Sequence, residues 1–353
     1  MGWTDSPRIF SMIMKAVAKV LREQGIRMVI FLDDILILSE SREECIRQRD
    51  ILISLLDRLG LTLSVKKSKL DPTQRIEFLG TIVDSIKMVF EVPQEKLDRY
   101  LDYLSKLVRK TESGSALSLN SIRSAIGCLG SVSECIPATR LHMNHLLRTA
   151  IAAEKTPKQQ LVLPVEAQEE LKWWLVNFRS WNGKPINSAS PTHFFDTDAS
   201  HHGWGGVYIG KEGKRVDAHG RFLSRLTSNE RELRAIFHAT QSFIRQLEWK
   251  DCSIRVRTDN QIALSYVNKM GGKLPHLLTI TELLHNFCLT RNITISAEYL
   301  PGVKNVAADQ LSRIETDWSE AKLNTSLFQL IQERWGKMEM DCFASNINCQ
   351  VET

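Results

Sequence analysis

Apolar residues recur at helical spacing near the start of the chain. Phe10, Ile13, Met14, Val17, Val20 and Leu21 fall three or four positions apart and predict an amphipathic helix. Ser6-Pro7 reads as its N-cap with proline in the first helical position, and Gly25 as its stop. Met28–Leu38 is then a continuous apolar run broken in its middle by Asp33-Asp34. That break predicts a hairpin with two carboxylates at the bend. Ile46, Leu52, Leu55, Leu56 and Leu59 predict a second helix ending at Gly60, and Leu61–Val65, Arg75–Gly80 and Met88–Val92 read as short strands.

From Pro93 to Ile186 the texture is helical. Leu97, Tyr100, Leu101, Leu104 and Leu107 form one apolar stripe, Thr111–Ser115 reads as a loop, and Ile122, Ile126 and Leu129 begin another helix. Thr156-Pro157 and Leu163-Pro164 bound a linker before the aromatic helix Leu171–Phe178, which closes near Trp181-Asn-Gly183. The period changes again after residue 190. His193–Ala199, Trp204–Ile209 and Arg215–Phe222 read as consecutive strands. Ser228–Leu247, Gln261–Lys269 and Leu277–Leu289 read as helices, Ile254–Thr258 and Ile293–Tyr299 as strands, and a last helix starts near the N-cap candidate Asn305. Trp318, Leu327, Phe328, Leu330, Ile331 and Trp335 keep helical spacing in the tail.

Four acids stand in this second half in four different settings: Asp198, Glu232, Asp259 and Asp309. Taken singly, each is most simply a solvated or capping residue. Gathered together they need a cation. A pair of divalent metal ions is the natural partner, and phosphodiester cleavage the natural chemistry.

The surrounding residues carry a resemblance. Thr197-Asp-Ala-Ser200, Thr227-Ser-Asn-Glu-Arg-Glu-Leu-Arg-Ala235, Arg257-Thr-Asp-Asn260 and Pro301-Gly-Val-Lys-Asn-Val-Ala-Ala-Asp-Gln-Leu-Ser-Arg313 resemble the ribonuclease H of retroelements. The resemblance implies a mixed five-stranded sheet with flanking helices over 191–315. It also implies that Asp198, Glu232, Asp259 and Asp309 are both the catalytic acids and the metal ligands. The motif's acid before Leu-x-Ala selects Glu232 over Glu230, and the central first strand makes Asp198 the bridging ligand. Two Mg²⁺ ions suit all-oxygen donors, with Mn²⁺ able to replace them. An RNA–DNA hybrid is the implied substrate, recognised through 2′-hydroxyls in its minor groove. Thr227, Ser228, Asn229 and Asn260 are placed for that groove, although helix capping is the plainer role for Asn229. Lys67, Lys304 and Arg313 offer further substrate contacts, as against simple solubility. Relatives often carry a histidine before the last acid; here Glu298–Gly302 has none, and His201 and His202 read as solvent-facing.

Residues 1–92 resemble the later part of a reverse-transcriptase palm (an α+β domain). Phe31-Leu-Asp-Asp34 stands at the catalytic box, with Ser6-Pro-Arg-Ile-Phe10 before it and Lys67-Ser68 and Phe78-Leu-Gly80 after it. The resemblance implies one more metal-binding Asp upstream of the first helix, and the chain starts too late to contain it. Asp33 and Asp34 are therefore read as a polymerase-box remnant kept as a hairpin. Residues 93–190 resemble the helical thumb and connection of DIRS-type (tyrosine-recombinase) elements; gypsy-like elements share the nuclease features. Residues 316–353 form a C-terminal extension in which Met340–Ser345 resembles a stretch found downstream of such nucleases. The whole is a multi-domain α/β chain, a piece of a retrotransposon polyprotein that meets nucleic acid and other parts of that polyprotein.

Composition narrows this little further. The 353 residues suffice for two or three domains, and a net charge of +5 is compatible with a polyanionic partner. Seven cysteines without a CxxC pair read as reduced thiols of an intracellular protein, cytoplasmic or nuclear. No apolar run approaches the ~20 residues needed to span a bilayer, so no membrane partner is expected.

Overall fold

A computed structural model describes residues 4–154, 160–187, 190–314, 323–338 and 351. The linker expected at Thr156-Pro157, the residues around Trp3, Trp318 and the Met340–Ser345 motif lie outside them. The chain divides into two units, Met1–Ser188 and Ala189–Thr353. Among the described residues no helix is long and apolar enough to cross a membrane.

In the first unit, α1 (Ser6–Glu23) opens with proline at its first turn and ends where Gly25 adopts φ +80°. Gly25 N–H donates to Arg22 O (2.9 Å) and Ile26 N–H to Leu21 O (3.1 Å), so the left-handed glycine satisfies carbonyls that the helix leaves open. The cap residue is Asp5, one position earlier than the sequence suggests, and its side chain makes no capping bond. Next, β1 (Arg27–Phe31) and β2 (Asp34–Leu38) form a hairpin in which Phe31 faces Asp34. Met14, Val17, Leu21, Ile26 and Met28 pack with Leu52 and Leu56 of α2 (Arg42–Arg58).

Leu61–Val65 is not a strand. Leu61 N–H closes α2 on Leu56 O, Val65–Lys67 is a 3-10 turn, and among the described residues no strand pairs with this segment. Alternation alone does not make a strand without a ladder to join. Conversely, a strand that the apolar pattern does not announce follows Arg75–Phe78 (β3). Leu79 and Gly80 both take positive φ, turn the chain in two residues, and start β4 (Thr81–Asp84). Then β5 (Val89–Glu91) leads into α3 (Gln94–Glu112), β6 (Leu117–Ser118), α4 (Leu119–Gly130), α5 (Asn144–Ala153), β7 (Gln160–Leu161), α6 (Val165–Asn177) and β8 (Lys184–Pro185). Pairing of β5 with β8 extends the β3-β4-β5 sheet to the end of the helical stretch. Trp174 and Phe178 sit at the centre of the helical core, fully buried, with Trp174 Nε1–H donating to His142 O at 2.7 Å.

The second unit holds β9 (His193–Ala199), β10 (Gly203–Ile209), β11 (Arg215–Arg221), α7 (Ser228–Leu247), β12 (Ser253–Thr258), α8 (Gln261–Lys269), α9 (Pro275–Leu289), β13 (Thr294–Tyr299), α10 (Val306–Ser312) and α11 (Thr325–Trp335). These match the sequence reading to within two residues at each end compared. The sheet order is β11-β10-β9-β12-β13, antiparallel through β11, β10 and β9 and parallel through β9, β12 and β13.

Adjacent glycines on β10 bring helices to both faces of this sheet. A Cβ on Gly206 would meet Ala239 Cβ of α7 at 2.8 Å. One on Gly205 would lie 2.7 Å from Ser312 N of α10 and closer still to Ala308 O. Neighbouring strand residues point to opposite faces, so α7 and α10 sandwich the strand. Gly205→Ala is expected to unseat α10 at a cost of roughly 1–3 kcal/mol. Hydrogen exchange of the α10 and β10 amides measures it; unchanged protection contradicts this packing.

Candidate active site

Asp198 lies near the end of the central strand β9, opposite Gly205 and therefore on the α10 face. Asp259 directly follows β12, and Glu232 lies in the second turn of α7. Thr227 caps α7, its Oγ1 accepting Glu230 N–H at 3.3 Å. Asn260 caps α8 through Ala263 N–H (2.8 Å) while its Nδ2 donates to Asn229 Oδ1 (3.1 Å). That last bond ties the starts of the two helices together beside the acids, and it gives Asn229 a bridging role where capping was the plainer expectation.

Carboxylate oxygens of Asp198, Glu232 and Asp259 lie within 4.8 Å of one another. Asp198 and Glu232 are buried, and Glu232 Oε2 is enclosed with no hydrogen-bond partner. Burial, then the charges of Asp198 and Asp259, push the Glu232 carboxyl up to about 8. Asp198 is also raised, first by burial. The Ser312 hydroxyl works against that rise, and the charges of Asp309 and Asp259 add to it. Like charges this close, out of water, destabilise one another unless a proton or cation intervenes.

Asp309, expected to converge with the other three, falls outside this 4.8 Å group, although its charge still bears on Asp198. It sits in the first turn of α10, and Arg313 donates to its Oδ1 through Nε (2.8 Å) and Nη2 (2.6 Å). The partner four residues on neutralises it locally. Arg313, read as a substrate contact, is thereby engaged within the helix. Asn305 was expected to cap α10 with its side chain and does not. Its Nδ2 donates instead to Thr197 O at 2.8 Å, fastening α10 to β9.

Three further residues touch the acids or their strand. Ser312 Oγ donates to Asp198 Oδ2 at 3.0 Å, Asn305 holds Thr197, and a Cβ on Gly302 would fall 2.9 Å from Asp259 Oδ2. All three stand inside the quoted Pro301–Arg313 motif, which was the available signal. Ser228 lies exposed at the start of α7; Lys304 is exposed in the 3-10 turn Gly302–Lys304; His201 and His202 face solvent as expected.

In the first unit, Asp33 and Asp34 are exposed at the hairpin turn and share with Lys67 the lining of a cleft of about 590 Å³. Among the described residues no other acid joins them in a metal-ligating group. The five described cysteines (Cys45, Cys128, Cys135, Cys252 and Cys288) are free thiols.

Residues 1–83 match the family model "Reverse transcriptase (RNA-dependent DNA polymerase)". The chain is 24% identical over 348 residues to a putative enzymatic polyprotein of Cassava vein mosaic virus, covering 92% of this chain and 49% of that protein. It is 24% identical over 326 residues to polyprotein P3 of Commelina yellow mottle virus, covering 89% of this chain and 16% of that protein. The chain thus spans about half of the first relative and a smaller share of the second. A foamy viral protease-reverse transcriptase in complex with RNA/DNA hybrid aligns with TM-score 0.45 and 16% identity, covering 92% of this chain and 42% of that one. RNase H1 of Halobacterium salinarum NRC-1 aligns with TM-score 0.29 and 20% identity, covering 34% and 91%. The sequence likenesses support a reverse-transcriptase-bearing region of an enzymatic polyprotein.

Proposed function

We propose that the second unit is a ribonuclease H that cuts the RNA strand of RNA–DNA hybrids, within a DIRS-type or gypsy-like retroelement polyprotein acting inside the cell. The observation that carries this reading is the convergence of Asp198, Glu232 and Asp259 within 4.8 Å, with Glu232 Oε2 buried and unpaired. The donors are all oxygen, which fits Mg²⁺ or Mn²⁺. Asp198, Glu232 and Asp259 would hold the metal, and Asp309 would join on leaving Arg313. Bound there, a divalent pair supplies an activated water and stabilises the leaving oxygen.

The chain's own residues do the rest. Buried Asp198 and Glu232 exclude bulk water from one side of the site, and the Asn229–Asn260 bridge presents a polar edge suited to 2′-hydroxyls. Purified protein with Mg²⁺ is expected to cleave a labelled hybrid, leaving 5′-phosphate and 3′-hydroxyl ends, and to spare duplex DNA. Hybrid binding without metal-dependent cleavage would instead mark a nucleic-acid-binding remnant.

The family match over residues 1–83 favours a second reading, RNA-directed DNA polymerase activity assembled with an upstream segment or partner chain. Asp33 and Asp34 lack a third acid among the described residues, so primer–template and nucleotides added to this chain alone are expected to give no extension. Extension would establish the second reading.

A further inference from the structure

We propose that Ser312 is a positioning residue for Asp198, fixing which carboxylate oxygen faces the metal site and holding it there before metal arrives. The inference rests on the nuclease reading and assigns to that site a residue outside the acid set.

Ser312 is buried to 1% exposure, and its hydroxyl donates to Asp198 Oδ2 at 3.0 Å. Among the described residues it is the one protein donor that meets the side chains of Asp198, Glu232 or Asp259. The same oxygen lies 2.9 Å from Asp309 O, but only the carboxylate bond is charge-assisted, so that acceptor is the stronger. The residue is itself held from behind. Ser200 Oγ donates to Ser312 O at 2.6 Å and accepts Gly203 N–H at 3.0 Å, which stitches the end of α10 to the β9–β10 turn. At the other end of α10, Asn305 Nδ2 holds Thr197 O, the residue before Asp198. The helix is therefore fastened to the strand at both ends, with the acid between the two points.

The physical consequence follows from the carboxylate's two-fold torsion. An Asp side chain flanked by two like charges turns away from them unless a donor holds it. The Ser312 hydroxyl supplies that donor on Oδ2 and leaves Oδ1 free. Partners of this kind orient a ligating carboxylate, and their loss typically costs 10–100-fold in metal affinity.

The test titrates the full chain with Mn²⁺ and follows the free-ion signal by electron paramagnetic resonance, alongside hybrid cleavage at graded Mg²⁺. Ser312→Ala is expected to weaken Mn²⁺ binding roughly tenfold. It is also expected to raise the half-saturating Mg²⁺ concentration by a similar factor, with the rate at saturating metal largely retained. Ser312→Cys, which keeps the volume but is a poor donor, is expected to show the same loss if the alanine variant folds badly. Ser312→Thr, which keeps the hydroxyl, is expected to recover binding. Ser200→Ala loosens the seat of α10 yet leaves Asp198 its donor, and is expected to weaken Mn²⁺ binding less than Ser312→Ala does. Wild-type affinity in both Ser312→Ala and Ser312→Cys overturns the proposal, as does an equal loss in Ser200→Ala. Those outcomes leave a cleaving wild type and so spare the nuclease reading; a wild type that takes up no Mn²⁺ overturns both.

Discussion

Asp198→Asn is expected to slow hybrid cleavage on the order of a thousandfold or more while leaving the fold intact. The substitution keeps the side chain's size and its acceptor for Ser312, and it removes one negative charge from a group of three. Folding therefore loses little, and by relieving repulsion it gains. Cleavage loses the charge that would draw both ions to the centre of the sheet. Metal stabilisation of a phosphoryl transition state is worth several kcal/mol, and each 1.36 kcal/mol is tenfold in rate. Single-turnover cleavage at saturating Mg²⁺ measures it. A rate within tenfold of wild type removes Asp198 from the reaction. A variant that unfolds shows that the site was holding the sheet together.

The second large effect concerns stability without metal. Glu232 lies at about 8 in the folded chain against 4.5 as an ordinary carboxyl, and burial is the main cause. Between those values the folded state holds more protons than the unfolded state, so stability falls as pH rises. The contribution is fully present below about 4.5 and is lost as pH climbs through about 8. The gap corresponds to something on the order of 5 kcal/mol. Opening of β9 and β12, followed by hydrogen exchange in EDTA between pH 5 and pH 8.5, is expected to become easier as pH rises. Glu232→Gln carries no charge at either pH and is expected to flatten the profile. Addition of Mg²⁺ is expected to do the same for the wild type by neutralising the acids. A Glu232→Gln profile as steep as the wild type's sends the pH dependence to another group.

Much of the second unit was legible in the sequence because its cues are local. The aromatic, strand-forming His193–Ala199 segment, a cap at Thr227 and a helical stripe behind it each specify an element without reference to distant residues. What failed depended on partners far along the chain. Leu61–Val65 alternates like a strand, yet among the described residues no strand pairs with it. Leu79-Gly80 looked like the end of a strand, because a turn with positive φ at leucine has no apolar signature. β8 is two residues long and exists through its pairing with β5, almost a hundred positions earlier.

The site divides along the same line. Asp198, Glu232 and Asp259 are brought together by strand ends and a helix start whose order the motifs encode. Asp309 belongs to the same kind of motif but lies outside the 4.8 Å group and pairs with Arg313, one turn on. Motif spacing records which acids share a domain; it does not record which one an arginine neutralises in the absence of metal. From sequence Ser312 reads as a surface residue and Asn305 as a cap, because a serine and an asparagine in a helical segment carry no further cue. Gly203 and Gly205 let α10 settle directly on the strand at Ala308, Leu311 and Ser312.

The most direct test of the central claim is equilibrium Mn²⁺ binding to the wild-type chain and to Asp198→Asn. Uptake of two ions is expected for the wild type, with loss of at least the tighter one in the variant. Identical uptake by the two proteins, or none by either, contradicts it.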